Sequence, residues 1–295
     1  MGVHDELGIR MKEYYEQIPK TKLIRRMPVC IRIDGKAFHT FTRGFRKPFD
    51  EILMKTMQET MKGLCEGIQG CVLGYTQSDE ITLILIDYKK LNSAAWFDYE
   101  VQKMCSISAS MATMLFNRNF DKNIKLASAN DFLSDIEHDE VYYQTLRKAR
   151  DKGAMFDARC FNIPKEEVTN LIYWRQLDAK RNSISMLGRA YYSDKQLYHK
   201  VNREICDMLV NEKGVNWSAF PAYQKWGSCC VKREDSERGS LGLDEIKEAE
   251  ITGNMEKTDE TEGCRRSRWV IDKEIPEFRG EGREYIESLI YVGEN

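Results

Sequence analysis

At 295 residues, 42% hydrophobic and 31% charged, the chain is long enough to bury a core and too apolar to stay disordered. Its formal charge of −2 excludes a uniformly basic nucleic-acid coat, so any contact with a polyanion has to come from local patches. The charged stretch from Met1 to Arg10 is unlike a signal peptide and no run reaches the roughly 18 apolar residues of a membrane span, so a cytoplasmic protein with no membrane partner is expected.

Val29, Ile31 and Ile33 alternate with Cys30 and Arg32 after Pro28, which predicts a strand ending at Asp34. Gly35 permits a sharp turn, and Lys36 to Phe45 reads as a loop carrying Phe38, Phe41 and Phe45. Pro48 is expected to open a helix whose apolar face runs through Phe49, Ile52, Leu53, Met57, Met61, Leu64, Cys65 and Ile68. Cys71 to Tyr75 and Ile81 to Ile86 are two β-type runs around Gln77-Ser78-Asp79-Glu80, a hairpin with charge at its tip. A second helix is expected from about Tyr99 to Asn117, then a polar, irregular stretch from Asn119 to Gly153. Phe156 to Ile163 reads as another strand, ended by Pro164.

Strand, helix, two-stranded hairpin, helix, strand is the βαββαβ order of an α+β, ferredoxin-like domain, here spanning residues 1–165. Residues 166–232 read as a helical region packed on it, with Trp174 in the core. Residues 233–263 read as a mobile polar excursion and 264–295 as a C-terminal β-like segment. The nine cysteines form no Cys-x-x-Cys pair and read as reduced core thiols, and His4, His138 and His199 as ordinary surface or core residues.

Asp34 and Asp79 both fall at a strand end or turn, and in a βαββαβ sheet the first strand lies beside the hairpin, so their carboxylates can face each other. Two hard oxygen ligands, supplemented by the Gly35 carbonyl, suit Mg²⁺, which keeps waters and shares substrate phosphates. Successive backbone N–H groups from Gly35 to His39, with Lys36 and His39 as further donors, then form a triphosphate cradle without a Walker motif. Taken alone, an Asp-Gly at a strand end is also a common plain turn, and Ser-Asp-Glu at a hairpin tip is also common solvated polarity.

The stretch Ile31-Arg32-Ile33-Asp34-Gly35-Lys36-Ala37-Phe38-His39-Thr40-Phe41, followed by Lys47-Pro48-Phe49-Asp50, resembles the first signature of the tRNA-His guanylyltransferase family. Tyr75-Thr76-Gln77-Ser78-Asp79-Glu80 resembles the second. Trp96-Phe97 leading to Lys103, Phe156-Asp157-Ala158-Arg159 and Trp174-Arg175-Gln176-Leu177-Asp178 follow in the family's order. The resemblance implies a palm like that of polymerases, adding nucleotides in the 3′-to-5′ direction to a tRNA 5′ end after ATP- or GTP-dependent activation of that end. It implies two Mg²⁺ ions on Asp34, Gly35 and Asp79, with Glu80 as an accessory catalytic acid. The nucleoside triphosphate is expected over Lys36, Ala37, Phe38 and His39 and near Ser78 and Lys103, and the protein is expected to be a homotetramer.

One departure bears on the substrate. Eukaryotic members that add a single G to tRNA-His carry a His-Ile-Asn-Asn-Leu-Tyr-Asn type segment where this chain has Arg181-Asn182-Ser183-Ile184-Ser185-Met186-Leu187. This resembles the bacterial branch, for which template-dependent repair of 5′-truncated tRNA is expected. Dedicated G addition to tRNA-His, a palm-fold nucleotide cyclase and an inactive tRNA-binding protein are the alternatives. Arg25, Arg26, Arg43, Arg46 and Lys47 surround the first signature as a basic rim, and Arg25, Arg26, Arg32, Arg159, Arg175 and Asn182 are the candidate tRNA contacts.

Overall fold

The computed structural model describes residues 6–133, 139–234 and 267–292. Six strands, β1 (Val29–Gly35), β2 (Cys71–Gln77), β3 (Glu80–Leu85), β4 (Phe156–Asn162), β5 (Ser228–Glu234) and β6 (Ser267–Asp272), form one antiparallel sheet in the order β4-β1-β3-β2-β5-β6. The helices are α1 (Glu6–Met11), α2 (Phe38–Phe41), α3 (Glu51–Gly67), α4 (Val101–Leu133), α5 (Glu140–Lys152), α6 (Lys165–Tyr191), α7 (Asp194–Leu197), α8 (Asn202–Lys213), α9 (Ala222–Trp226) and α10 (Glu284–Ile290). Among the described residues no helix is long and apolar enough to cross a membrane.

The period of two along each strand divides the side chains between two cores. Val29, Ile31 and Ile33 of β1 join Ile81, Leu83 and Leu85 of β3 against Met57, Met61 and Leu64 of α3 and Phe116 and Phe120 of α4. Cys30 and Ile84 face the other way, towards Val168 and Ile172 of α6 and Ile286 and Ile290 of α10. A third core, with Ile184, Leu187, Ile205 and Leu209, fastens the far end of α6 to α8. The central strands β1, β2 and β3 are thus covered on both faces, and polar groups reach solvent chiefly at the strand ends and along the edge strand β4.

Two expectations about the helices are corrected. The helix expected to open at Pro48 begins at Glu51, because Asp50 is its N-cap and accepts from the Leu53 N–H at 2.9 Å. Pro48 instead follows a cis peptide bond with Lys47. The stretch expected to be irregular is largely helical, since Phe120 and Ile124 prolong the buried stripe of α4, and Tyr142, Tyr143, Leu146 and Ala149 give α5 its own. Charged neighbours thin that stripe in the sequence but do not interrupt its spacing.

The sheet also extends beyond residues 1–165. β5 lies in the region read as helical, and the segment read as β-like supplies one strand and then α10. Cys229 and Cys230 point to opposite faces of β5 and are both fully buried, so its first half shows no alternation, and its second half, Lys232-Arg233-Glu234, is charged and exposed. Residues 235–263 of the expected excursion lie outside the described residues, as do His4 and His138.

Candidate active site

Asp34, the penultimate residue of β1, stands opposite Glu80 of β3 on one side and Asp157 of β4 on the other. The next residue, Gly35, donates its N–H to the Asp79 carbonyl at 3.1 Å, tying the end of β1 to the two-residue turn Ser78-Asp79 between β2 and β3. Ser78 has a φ of 51°, the left-handed geometry that so short a hairpin requires. Its hydroxyl donates to Asp79 Oδ1 at 3.0 Å.

Burial raises the Asp34 carboxyl above the usual Asp range; Glu80 and Asp157 raise it further, while Arg159 and Arg32 oppose them. Burial likewise raises Asp79, with the Ser78 hydrogen bond opposing and Asp34 and Glu80 adding to the rise. Negative charge is therefore concentrated where a cation would relieve it. Among the described residues no group of three or more His, Cys, Asp or Glu is arranged to hold a metal ion. Two carboxylates beside an open cleft nevertheless fit Mg²⁺, which fills its remaining positions with water and phosphate oxygens.

A Cβ on Gly35 would lie 2.3 Å from the Phe38 ring, so glycine is what lets that ring fold beneath the turn. Phe38 packs against Phe41, Phe116 and Phe156 and brings only its backbone to the site. Ala37, at φ 54° and ψ 40°, starts α2. The Gly35 and Lys36 N–H groups are already committed, to Asp79 and to the Met155 carbonyl at 2.8 Å, so the expected cradle narrows to Ala37, Phe38 and His39. These three line a cleft of about 700 Å³ together with Arg43, Lys47, Ser78, Asp79 and Arg189 of α6. Lys36 is exposed and does not line it.

A smaller, mainly apolar pocket of about 100 Å³ adjoins the cleft, and Asp50, Leu53, Ser78 and Met186 line both. Gln58, Asn182 and Tyr223 complete it from α3, α6 and α9. Sequence reasoning missed Met186, Arg189 and Tyr223, which come from helices far along the chain. The one local signal was Gln58, a buried polar residue on the apolar face of α3, whose amide donates to Ser228 Oγ at 2.8 Å.

Other expected site residues sit elsewhere. Glu80, expected among the catalytic acids, is buried and committed to two guanidinium groups, Arg175 Nε at 2.7 Å and Arg32 at 3.1 Å. Arg175, expected along the tRNA path, is 6% exposed and also bonds Asp178, whereas Trp174, expected in the core, is 47% exposed beneath Arg32 and Arg175. Arg25 Nε and the Arg26 N–H both donate to the buried Asp87, at 2.6 and 2.7 Å, and so brace the chain before β1. Arg159 pairs with Asp157 at 3.2 Å on the β4 side of Asp34. Lys103 stands on the first turns of α4, near the Phe97 ring, and α4 flanks β4 where Cys105 meets Cys160 at 3.5 Å. Asp79 thus lines the cleft, Asp34 stands beside it, and Arg32 and Arg159 lie two residues along β1 and β4 from Asp34 and Asp157.

The model of the Thg1 family, tRNAHis guanylyltransferase, matches residues 9–164. An uncharacterized protein of Acanthamoeba polyphaga mimivirus is 30% identical over 264 residues, covering 86% of this chain and 84% of that protein. The structure is similar to that of a bacterial tRNA(His) guanylyltransferase (Thg1)-like protein in complex with ATP, with a TM-score of 0.72 and 35% identity over 97% of this chain and 100% of the other. A bacterial Thg1-like protein in complex with GTP gives a TM-score of 0.69 and 34% identity over the same shares. With more than half of its length matched and its fold shared, the chain belongs to the Thg1 family of tRNAHis guanylyltransferases.

Proposed function

We propose that the protein adds nucleotides in the 3′-to-5′ direction to the 5′ end of tRNA, repairing truncated ends against the opposite strand. The observation that carries this reading is the Gly35 N–H to Asp79 carbonyl bond, which sets Asp34 beside the turn whose Asp79 lines a cleft with Ala37, Phe38, His39, Lys47 and Arg189. The bacterial neighbours' ATP and GTP support nucleoside triphosphates as substrates. The strand order β4-β1-β3-β2 and the helices between those strands support a ferredoxin-like palm.

Asp34, Asp79 and the Gly35 carbonyl are the residues that would hold two Mg²⁺ ions, which supply charge stabilisation at phosphate and a more acidic attacking hydroxyl when bound. The chain's own groups orient the reactants. The N–H groups of Ala37, Phe38 and His39 donate to phosphate oxygens, and Arg43, Lys47 and Arg189 offset their charge. The adjoining pocket takes an apolar ring face and excludes water. In the first step a 5′-phosphate oxygen attacks the α-phosphorus of ATP or GTP and pyrophosphate leaves. In the second, the 3′-hydroxyl of an incoming nucleotide attacks the activated 5′-phosphorus and the nucleoside monophosphate leaves. Arg32 and Arg159, paired across β1 and β4 two residues from Asp34 and Asp157, suit the second phosphate-bearing partner; Lys103 joins them on the family resemblance.

Arg181-Asn182-Ser183-Ile184-Ser185-Met186-Leu187, in place of the eukaryotic segment, favours templated repair over a single G added to tRNA-His. The same reading makes the protein a cytoplasmic homotetramer. The test is incorporation of labelled nucleotides, with Mg²⁺ and ATP, into a 5′-truncated tRNA and into intact tRNA-His lacking its extra G. Filling by whichever base the opposite strand specifies supports the proposal; addition of G alone, irrespective of that base, overturns it.

A further inference from the structure

The active cleft does not end at Lys47 and Arg189. Both residues also line a second, broader groove of about 970 Å³ formed by the end of α6, the loop after α7 and the start of α8. Its lining carries Lys47, Arg189 and Lys200; Arg189 lies 3.5 Å from Asp194 in the same lining, and Lys200 lies 3.7 Å from Glu204 of α8. One wall is firm, because the Tyr192 hydroxyl donates to the Met208 carbonyl at 2.9 Å. The other wall holds Tyr198, 72% exposed, with the His199 ring 3.9 Å from it, centroid to centroid, and tilted by 59°. His199 has a φ of 58°, a left-handed backbone conformation that a residue with a Cβ adopts only at a local cost.

Cations that continue from a phosphate-binding cleft, ending at solvent-facing aromatic rings, are what a single nucleic-acid strand needs: charge for its backbone and a ring face for an unpaired base. A duplex would hide its base faces and leave Tyr198 unused. We propose that this groove binds the unpaired 3′ nucleotides of the RNA whose 5′ end is extended at Asp34 and Asp79, with Lys47 and Arg189 at phosphates and a base stacked on Tyr198. The inference rests on the 5′-end nucleotidyltransferase reading and adds a positioning surface to it. Anchoring the opposite strand there would hold the template still while the shorter strand grows.

The experiment compares the affinity of the full-length protein for a 5′-truncated tRNA with that for the same tRNA stripped of its unpaired 3′ nucleotides, using wild type, Tyr198→Ala and Tyr198→Phe. Loss of one stacked base is expected to weaken wild-type binding by about tenfold. Tyr198→Ala should lose that tenfold share of the discrimination and keep only what the phosphates at Lys47 and Arg189 contribute, and Tyr198→Phe should behave as wild type. A fluorescent adenine analogue at the 3′ terminus should be quenched on wild-type binding, a readout that needs no variant to fold. Equal wild-type affinity for the two RNAs, an unquenched analogue, or a Tyr198→Ala protein that discriminates as strongly as wild type overturns the groove. Nucleotide incorporation on the truncated RNA separates the two readings: turnover without discrimination removes the groove alone, whereas absence of both RNA binding and turnover removes both.

Discussion

Arg175 on α6 reaches into the sheet and donates from Nε to Glu80 Oε1 at 2.7 Å, with both side chains only 7% exposed. Glu80 stands directly opposite Asp34, so this pair fixes a negative charge beside the site and anchors α6 over the strand ends. Removing one partner leaves the other charge buried and unpaired. Arg175→Ala is therefore expected to destabilise the fold by about 3 kcal/mol, read as a fall in the urea midpoint. A midpoint within the error of wild type would show that the clamp contributes nothing.

The carboxylates themselves should behave in the opposite sense. Raised carboxyl pKa values mean that the folded state holds those protons more tightly than the unfolded chain does. The associated penalty is absent below the ordinary Asp range and complete once pH has risen through the raised values. In a chelator at neutral pH, Asp34→Asn and Asp79→Asn should each melt higher than wild type. Added Mg²⁺ should raise the wild-type melting temperature and have little effect on either variant. Both variants should lose nucleotide incorporation. A wild-type melting curve indifferent to Mg²⁺ would remove the metal assignment.

Gly35→Ala asks whether the turn beneath the site can give. The added methyl would lie 2.3 Å from the Phe38 ring, itself held by three other phenylalanines. Overpacking of this kind costs about 1–3 kcal/mol. It should also displace the Ala37–His39 backbone, so the expected result is a loss of activity larger than the thermal shift alone explains. Full activity with an unchanged melting temperature would mean that the turn does not set the cradle.

Lys47 and Arg189 line the cleft, while Arg25 is spent on Asp87. Lys47→Ala and Arg189→Ala should each raise KM for the nucleoside triphosphate by about tenfold, the scale of one charge-assisted hydrogen bond. Arg25→Ala should alter thermal stability and leave that KM alone. Steady-state kinetics on the three variants decides the matter, and a KM effect confined to Arg25→Ala would reverse the assignment of the basic rim.

Much of the site's skeleton was legible in the residue order. Alternation from Val29 to Ile33 marks the strand that delivers Asp34, and a two-residue polar interruption between apolar runs marks the hairpin that delivers Asp79. What misled was any residue whose neighbours come from elsewhere in the chain. Glu80 looks like hairpin-tip polarity until α6 lowers Arg175 onto it, and Trp174 looks like core until the register of α6 turns it outward beneath two arginines. β5 was missed because its short buried half, Ser228 to Val231, shows no alternation and is followed by three exposed charged residues.

In the sequence, the order of the motifs carried the family, and hydrophobic periodicity and turn chemistry determined the strand and turn on which Asp34 and Asp79 stand, because these act between residues a few positions apart. Only the tertiary structure decided which side chains wall the cleft, which arginines are spent on buried acids, and that Lys47 and Arg189 join the cleft to the groove at Tyr198. Those outcomes depend on which faces of α3, α6 and α9 meet. Packing between segments more than a hundred residues apart is settled by burial and charge pairing across the whole chain.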